Sequence, residues 1–144
     1  MTKQTLGLTL SALLLSLPAK SADLTISVNE LRNQQGSLLL ALFDNPKAYD
    51  NLDEKGAVAS LALRPMIGGN TVTLRDLPPG QYVITALHDE NRNEQLDTNK
   101  RGFPIEGYGY SRNAGALETP KFSEAAFSLT PGNATESIKL IYIK

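Results

Sequence analysis

Oxygen-bearing side chains stand at alternate positions between residues 89 and 97, in the order in which a calcium-binding loop uses them. The side-chain oxygens at loop positions 1, 3, 5 and 9 belong to Asp89, Asn91, Asn93 and Asp97. Gln95 stands at position 7, where such a loop contributes a backbone carbonyl. Ca²⁺ prefers six to eight hard oxygens, and these residues supply about five. The spacing therefore predicts a Ca²⁺ site, with Glu106 or Glu90 as a further ligand.

Two positions depart from the helix–loop–helix form of this motif. Glu94 stands where the sharp turn requires glycine, and Lys100 stands where a bidentate Glu would complete the coordination sphere. The flanking segments have the pattern of a strand and a glycine-rich stretch, so an EF-hand is not predicted. The alternative interpretation is a metal-free turn whose Asn and Asp side chains accept hydrogen bonds from their own backbone. The sequence leaves both open.

A second unusual segment, residues 102–113, alternates aromatic residues with glycines. Glycine lets the backbone and the ring faces approach a ligand closely. The candidate ligand-binding residues are Tyr108, Tyr110, Ser111 and Arg112. The partner would be an envelope or extracellular protein or a glycan. The alternative is a packed loop in which the aromatic rings cover one end of the core.

Little in the sequence points to catalysis. His88 is the only histidine, and it continues the alternation of a predicted strand, which favours a hydrogen-bonded structural role. The sequence has no cysteine to act as a thiolate nucleophile and no Gly-x-Ser-x-Gly motif. We therefore predict a non-enzymatic protein without catalytic residues, and a hydrolase that uses His88 with Asp89 or Glu106 is a remote alternative.

The composition is that of one globular domain. The chain has 144 residues, with 14 Lys and Arg against 15 Asp and Glu, and a net charge of −1. Without a basic excess or a basic cluster, a nucleic-acid partner is not expected.

The N-terminus has the features of an export signal. Lys3 precedes an apolar run from Leu6 to Leu17, which Pro18 ends. As a helix this run would be roughly 18 Å long, well short of the ~30 Å hydrocarbon core of a bilayer. A signal peptide over residues 1–21 and a single domain over 22–144 are therefore predicted, in the periplasm or outside the cell and without a membrane span. The alternative is a buried core helix.

The elements that would position these residues are short strands. Apolar and polar residues alternate with a period of two, and no long segment has a helical period. Seven strands are predicted, at 23–31, 37–43, 58–63, 71–77, 82–87, 125–129 and a final strand containing Ile138 and Leu140. The turn at Pro78-Pro79-Gly80 would join two of them as a hairpin or a corner. The predicted fold is an all-β sandwich, immunoglobulin-like or transthyretin-like, with a long irregular loop over 88–121.

Three motifs in this order resemble a known family. They are Leu77–Tyr82, His88–Asn93 and Gly102–Ser111, and the resemblance extends from about Leu24 to Lys144. It is to the secreted bacterial proteins grouped as domain-of-unknown-function family 2141, in which Gly or Lys is common at the position of Glu94. The resemblance implies export and a sandwich like those of transthyretin or carboxypeptidase regulatory domains. It implies no biochemical role.

Overall fold

The computed structural model describes Leu17 and residues 19–144. The predicted signal peptide lies outside the described residues except for Leu17 and residues 19–21. Eight strands follow: β1 (Ala22–Asn29), β2 (Ser37–Phe43), β3 (Ala59–Leu63), β4 (Asn70–Leu77), β5 (Gly80–Asp89), β6 (Gly107–Tyr110), β7 (Phe127–Leu129) and β8 (Gly132–Lys139). Two short helices, α1 (Pro46–Asp50) and α2 (Phe122–Ala125), and two 3₁₀ segments, Glu54–Gly56 and Ser111–Asn113, complete the described part. None of its helices is both long enough and apolar enough to cross a bilayer.

The strands form two sheets, which confirms the predicted all-β sandwich. The smaller sheet has the order β4-β1-β8, and the larger has the order β3-β2-β5-β6, with β7 also paired to β5. The β1–β8 pair is parallel, whereas the other pairs are antiparallel. β4 and β5 lie in different sheets, so the proline-rich segment between them makes a corner and not a hairpin.

The main core lies between the two sheets, and it follows from the period-two alternation of the strands. β1 contributes Ala22, Leu24, Ile26 and Val28, all of them buried, while the residues between them are half-buried. Leu38, Leu40 and Leu42 face them from β2. Burial of these aliphatic side chains is the dominant stabilising contribution, at about 1.5–3 kcal/mol for each fully buried side chain.

A second, smaller core covers part of the outer face of the larger sheet. Phe43 of β2 and Val83 of β5 are buried there beneath α1 and α2. The ring of Tyr49 packs edge-on against Phe43 at 5.8 Å and against Phe122 at 5.9 Å. The apolar run of β2 is thus buried on both faces at its C-terminal end, whereas Leu39 and Ala41 are only half-buried. The rest of this outer face stays open.

The prediction of seven strands and a long irregular loop was wrong in one segment. β6 lies inside residues 88–121 and pairs with β5, and a bridge between Thr98 and Pro104 organises the preceding segment. The glycines that hid this strand are required by packing. A Cβ on Gly107 would lie 2.4 Å from the ring of Tyr142, and a Cβ on Gly109 would lie 2.8 Å from the side chain of Ile138. A larger side chain at either position would clash.

Candidate functional site

The polar loop, defined as residues 89–97, begins at the buried end of β5. The carboxylate of Asp89 is 1% exposed. Its Oδ1 accepts a hydrogen bond from the backbone N–H of Asn93 at 3.1 Å, and its Oδ2 accepts one from Glu94 at 2.9 Å. One side chain therefore turns the next five residues back over the end of the strand.

The two asparagines of the loop continue this curl. Asn91 Oδ1 accepts from the N–H of Asn93 at 3.1 Å, and Asn93 Oδ1 accepts from the N–H of Gln95 at 3.0 Å. Their amide nitrogens both donate to the carboxylate of Asp97, with 2.9 Å from Asn93 Nδ2 to Asp97 Oδ1. The carboxylate of Asp97, at loop position 9, is thus hydrogen-bonded to Asn91 and Asn93, at positions 3 and 5.

Glu106 closes the polar loop from outside its own sequence. Glu106 directly precedes β6 and is buried, with 3% exposure. Oε1 accepts from the N–H of Glu90 at 2.8 Å, and Oε2 accepts from the N–H of Asp97 at 3.1 Å. The hydrogen bonds consequently link all six predicted metal ligands into one network, in which Gln95 takes part through its N–H.

Glu94 adopts the backbone conformation that the calcium motif assigns to glycine. Its φ is 60°, in the left-handed region, although it is not a glycine. The sharp turn at position 6 is therefore present. For a non-glycine residue this conformation costs about 1–2 kcal/mol. The hydrogen bond from the N–H of Glu94 to Asp89 helps to offset that cost.

Asp89 and Glu106 are buried carboxylates that form no ion pair with another described residue. The ion pairs of the described residues are Arg32–Glu90, Arg75–Asp23 and Lys139–Glu30, and none includes Asp89 or Glu106. A buried charge is costly unless it is paired, hydrogen-bonded or bound to a metal, and here only backbone N–H groups hydrogen-bond the two carboxylates. Within the same residues no three His, Cys, Asp or Glu side chains form a group that could hold a metal ion. A cation here would depend on amide and carbonyl oxygens as well.

Glu90, the other predicted further ligand, is engaged elsewhere. Its Oε1 accepts hydrogen bonds from Arg32 Nε at 2.8 Å and Asn33 Nδ2 at 2.6 Å, and its Oε2 pairs with Arg32 Nη2. The hydrogen bond from Arg32 lowers the pKa of Glu90 below its usual value. Of these two candidate ligands, Glu106 is therefore the one whose carboxylate takes part in the hydrogen-bond network of the polar loop.

Both ring nitrogens of His88 already have hydrogen-bonding partners. Nδ1 lies 2.7 Å from the hydroxyl of Tyr142, and Nε2 lies 2.8 Å from the carbonyl oxygen of Gln35. The ring is fully buried, and no hydrogen bond joins it to Asp89 or Glu106 among the described residues. This arrangement fits the structural role predicted for His88.

The four predicted ligand-binding residues separate into two groups. Tyr108 and Tyr110 lie on the outer face of β6 with their ring centroids 6.3 Å apart, and burial raises the pKa of Tyr108. Ser111 is buried, and its hydroxyl donates to the carbonyl of Ala125 at 2.6 Å and accepts from the N–H of Ile84 at 3.0 Å. Arg112 is exposed, in a left-handed conformation with φ of 58°. The two tyrosines line a cavity.

That cavity, called the groove below, crosses the open part of the outer face of the larger sheet. Its volume is about 530 Å³. Leu39, Ala41 and Leu87 form its floor, and Tyr108 and Tyr110 form one wall. Its rim includes residues 94–96 of the polar loop, and also Leu52 and Glu54. Sequence reasoning missed this groove because the outward-facing leucines lie in continuous apolar runs, which predict burial on both faces.

The comparisons with known proteins confirm the resemblance noted in the sequence. The chain matches the family described as "Uncharacterized protein conserved in bacteria (DUF2141)" over residues 26–137, and it therefore belongs to that family. No curated protein and no solved structure matches the chain.

Proposed function

From the membership of the chain in this bacterial family and from the geometry of its polar loop, we propose that it is an exported, non-enzymatic binding module with a Ca²⁺-stabilised loop. The observation that carries the proposal is the burial of Asp89 and Glu106 in one hydrogen-bond network that includes Asp97, with no ion pair to either carboxylate among the described residues. Export to the periplasm or the cell exterior is supported by the apolar run from Leu6 to Leu17.

The polar loop and Glu106 together offer six oxygen ligands for Ca²⁺, and the ion would have to draw their three carboxylates together, because these do not form a metal-binding group among the described residues. Carboxylate oxygens come from Asp89, Asp97 and Glu106, amide oxygens from Asn91 and Asn93, and the backbone carbonyl from Gln95. The role of the ion is structural, because it would neutralise the buried carboxylates and fix the loop that borders the groove.

Moderate affinity is expected from the hydrogen bonds now present. The amide nitrogens of both asparagines donate to Asp97, so an ion has to displace these hydrogen bonds. Neutral amides also add no charge to the site. A dissociation constant of order 10⁻⁴ to 10⁻³ M follows, which is the range of extracellular calcium modules.

Calorimetry and thermal unfolding test this proposal. With about 10 mM CaCl₂ and a dissociation constant of about 1 mM, the free energy of unfolding rises by about 1.4 kcal/mol, which corresponds to a Tm increase of roughly 4–7 °C. MgCl₂ gives a smaller increase, because Mg²⁺ demands near-ideal octahedral geometry and is reluctant to lose its waters.

Two variants locate the effect. Asp97→Asn removes the negative charge of one predicted ligand and is expected to reduce strongly both the heat of binding and the Tm increase. Glu118→Gln, which changes an exposed carboxylate outside the polar loop, is the matched control and keeps both. Absence of heat and of any Tm change in the unmodified protein at millimolar Ca²⁺ would refute the calcium proposal.

A metal-free interaction module is the second candidate, and the position of Tyr108 and Tyr110 on the wall of the groove favours it. Its partner would be an envelope or extracellular protein or a glycan. Such a module binds its partner equally well in EDTA and in Ca²⁺. Alanine at Tyr110 should weaken binding while the circular dichroism spectrum stays that of a folded β protein.

A further inference from the structure

The register of the larger sheet explains why the groove exists. Two adjacent rows of cross-strand neighbours face outward over four strands. The first row is Ala62, Leu39, Leu87 and Tyr108. The second row is Ser60, Ala41, Thr85 and Tyr110. Small side chains on β3 and in the middle of the second row leave space above the sheet, and the tyrosines stand at one side. The next row along the strands, with Phe43 and Val83, is the one that the two short helices cover.

The groove has the size and lining of a site for a small organic molecule. Its volume of about 530 Å³ falls within the roughly 300–1,000 Å³ typical of such sites. Aliphatic side chains form the floor, and the aromatic wall offers two rigid surfaces that lose little entropy on binding. The hydroxyls of Ser60 and Thr85 are polar groups within this apolar lining.

The two charged residues that line the groove are both acidic. Glu54 and Glu94 line it from the 3₁₀ segment and from the polar loop, and both are exposed. None of the described residues that line it is Lys, Arg or His. The faces of tyrosine rings also attract cations. A ligand that carries a positive charge therefore complements the groove, whereas an anionic ligand is repelled by it.

We propose that the groove binds an amphiphilic organic amine, whose apolar body lies on β2 and β5 and whose ammonium group lies at Glu54 or Glu94. The apolar contacts supply most of the affinity, because exposed carboxylates are screened by solvent. The carboxylates set the selectivity for the charge of the ligand. This inference deepens the proposed binding function and rests on it, but it does not require Ca²⁺.

The test compares ligands that share an alkyl chain and differ in the charged group. Isothermal titration calorimetry at pH 7, below the micellar concentrations, measures n-decylammonium, decanoate and decanol against the full protein. Decylammonium is expected to bind about tenfold or more tightly than decanoate, with decanol between them. Decanoate binding that equals or exceeds decylammonium binding would overturn the proposal.

Two kinds of variant place the ligand in the groove. Ala62→Trp fills the space above the first row and is expected to weaken decylammonium binding by about tenfold or more. Thr71→Trp, at an exposed position of β4 in the other sheet, is the matched control and leaves binding unchanged. If Ala62→Trp stays folded by circular dichroism and binds as before, the groove is not the site.

Variants that remove charge from the groove keep the test valid even if Ala62→Trp unfolds. Glu54→Gln and Glu94→Gln change exposed side chains, and together they are expected to bring decylammonium to within about threefold of decanoate. A preference for the amine that survives both substitutions would contradict the proposal.

Titrations in EDTA and in Ca²⁺ separate this inference from the calcium site. Amine binding in EDTA, together with an absence of Ca²⁺ binding, supports the groove and refutes the calcium loop. Ca²⁺ binding without amine binding in either condition refutes the groove and leaves the calcium loop standing.

Discussion

Replacing Glu106 by glutamine probes the contact that closes the polar loop. Both carboxylate oxygens accept hydrogen bonds from backbone N–H groups, at 2.8 Å from Glu90 and 3.1 Å from Asp97. In Glu106→Gln one oxygen becomes an NH₂ group that faces a donor, so one buried N–H loses its partner. A hydrogen bond to a charged group contributes about 1.5–3 kcal/mol. Removal of a buried charge offsets part of this loss.

The expected net effect in EDTA is destabilisation by about 1–2 kcal/mol. For a domain of this size that corresponds to a Tm decrease of roughly 4–8 °C. Urea unfolding, followed by circular dichroism, gives the free energy directly, with Glu118→Gln as the control. With Ca²⁺ present, the difference in free energy of unfolding between Glu106→Gln and the unmodified protein increases, because Glu106→Gln gains no stability from the ion.

A Glu106→Gln variant that is as stable in EDTA as the unmodified protein, or more stable, would contradict this prediction. That result would mean that the two backbone hydrogen bonds do not hold the loop and that the cost of burying the charge of Glu106 outweighs them.

Three further predictions concern the surroundings of the loop and the second core. The hydrogen bond from Arg32 lowers the pKa of Glu90 in the folded state, below the value of about 4.5 that Glu90 has in the unfolded chain. The ionised Glu90 side chain therefore stabilises the fold fully above pH 4.5, and this stabilisation is lost as the pH falls through the lower, folded-state pKa. Glu90→Gln should therefore lower the free energy of unfolding in urea by about 1 kcal/mol at pH 7 and leave it unchanged near pH 2. An equal loss at the two pH values would contradict a stabilising role for the ionised Glu90 side chain. Tyr49→Phe leaves the carbonyl of Pro120 without the 2.7 Å hydrogen bond it accepts, and chemical denaturation should show a loss of about 1–2 kcal/mol. Gly36 has a φ of 72°, and Gly36→Ala would place a Cβ 1.9 Å from the backbone oxygen of Asp89 at the end of β5. This variant should lower the free energy of unfolding by about 3 kcal/mol or more. A melting temperature close to that of the unmodified protein would show that this contact is not rigid.

The sandwich could be predicted from the sequence because the alternation of β1 and the apolar runs of β2 and β5 directly reflect burial. β6 was missed because half of its residues are glycines, which have low strand propensity. Those glycines are dictated by the close approach of Tyr142 and Ile138, which are more than 25 residues away in sequence. A contact so distant in sequence leaves no local pattern.

In the polar loop, too, the features set by neighbouring residues could be predicted, whereas those set by residues far away in sequence could not. Its curl was predictable from the alternate oxygens, because the hydrogen bonds that shape it join residues within six positions of one another. The choice between Glu90 and Glu106 was not predictable. It depends on Arg32, which lies 58 residues from Glu90 in sequence and donates a hydrogen bond to its carboxylate. The left-handed backbone at Glu94 was also hidden, since the residue is not glycine.

A crystal structure of the protein soaked in CaCl₂ tests the central claim most directly. We predict a strong density peak inside the polar loop, with oxygens of Asp89, Asp97 and Glu106 drawn to about 2.3–2.6 Å from the ion and the amides of Asn91 and Asn93 turned from Asp97 toward it. Ion binding thus brings together carboxylates that do not form a metal-binding group among the described residues. The same crystal with no peak at this place, and with both amide nitrogens still donating to Asp97, would contradict it.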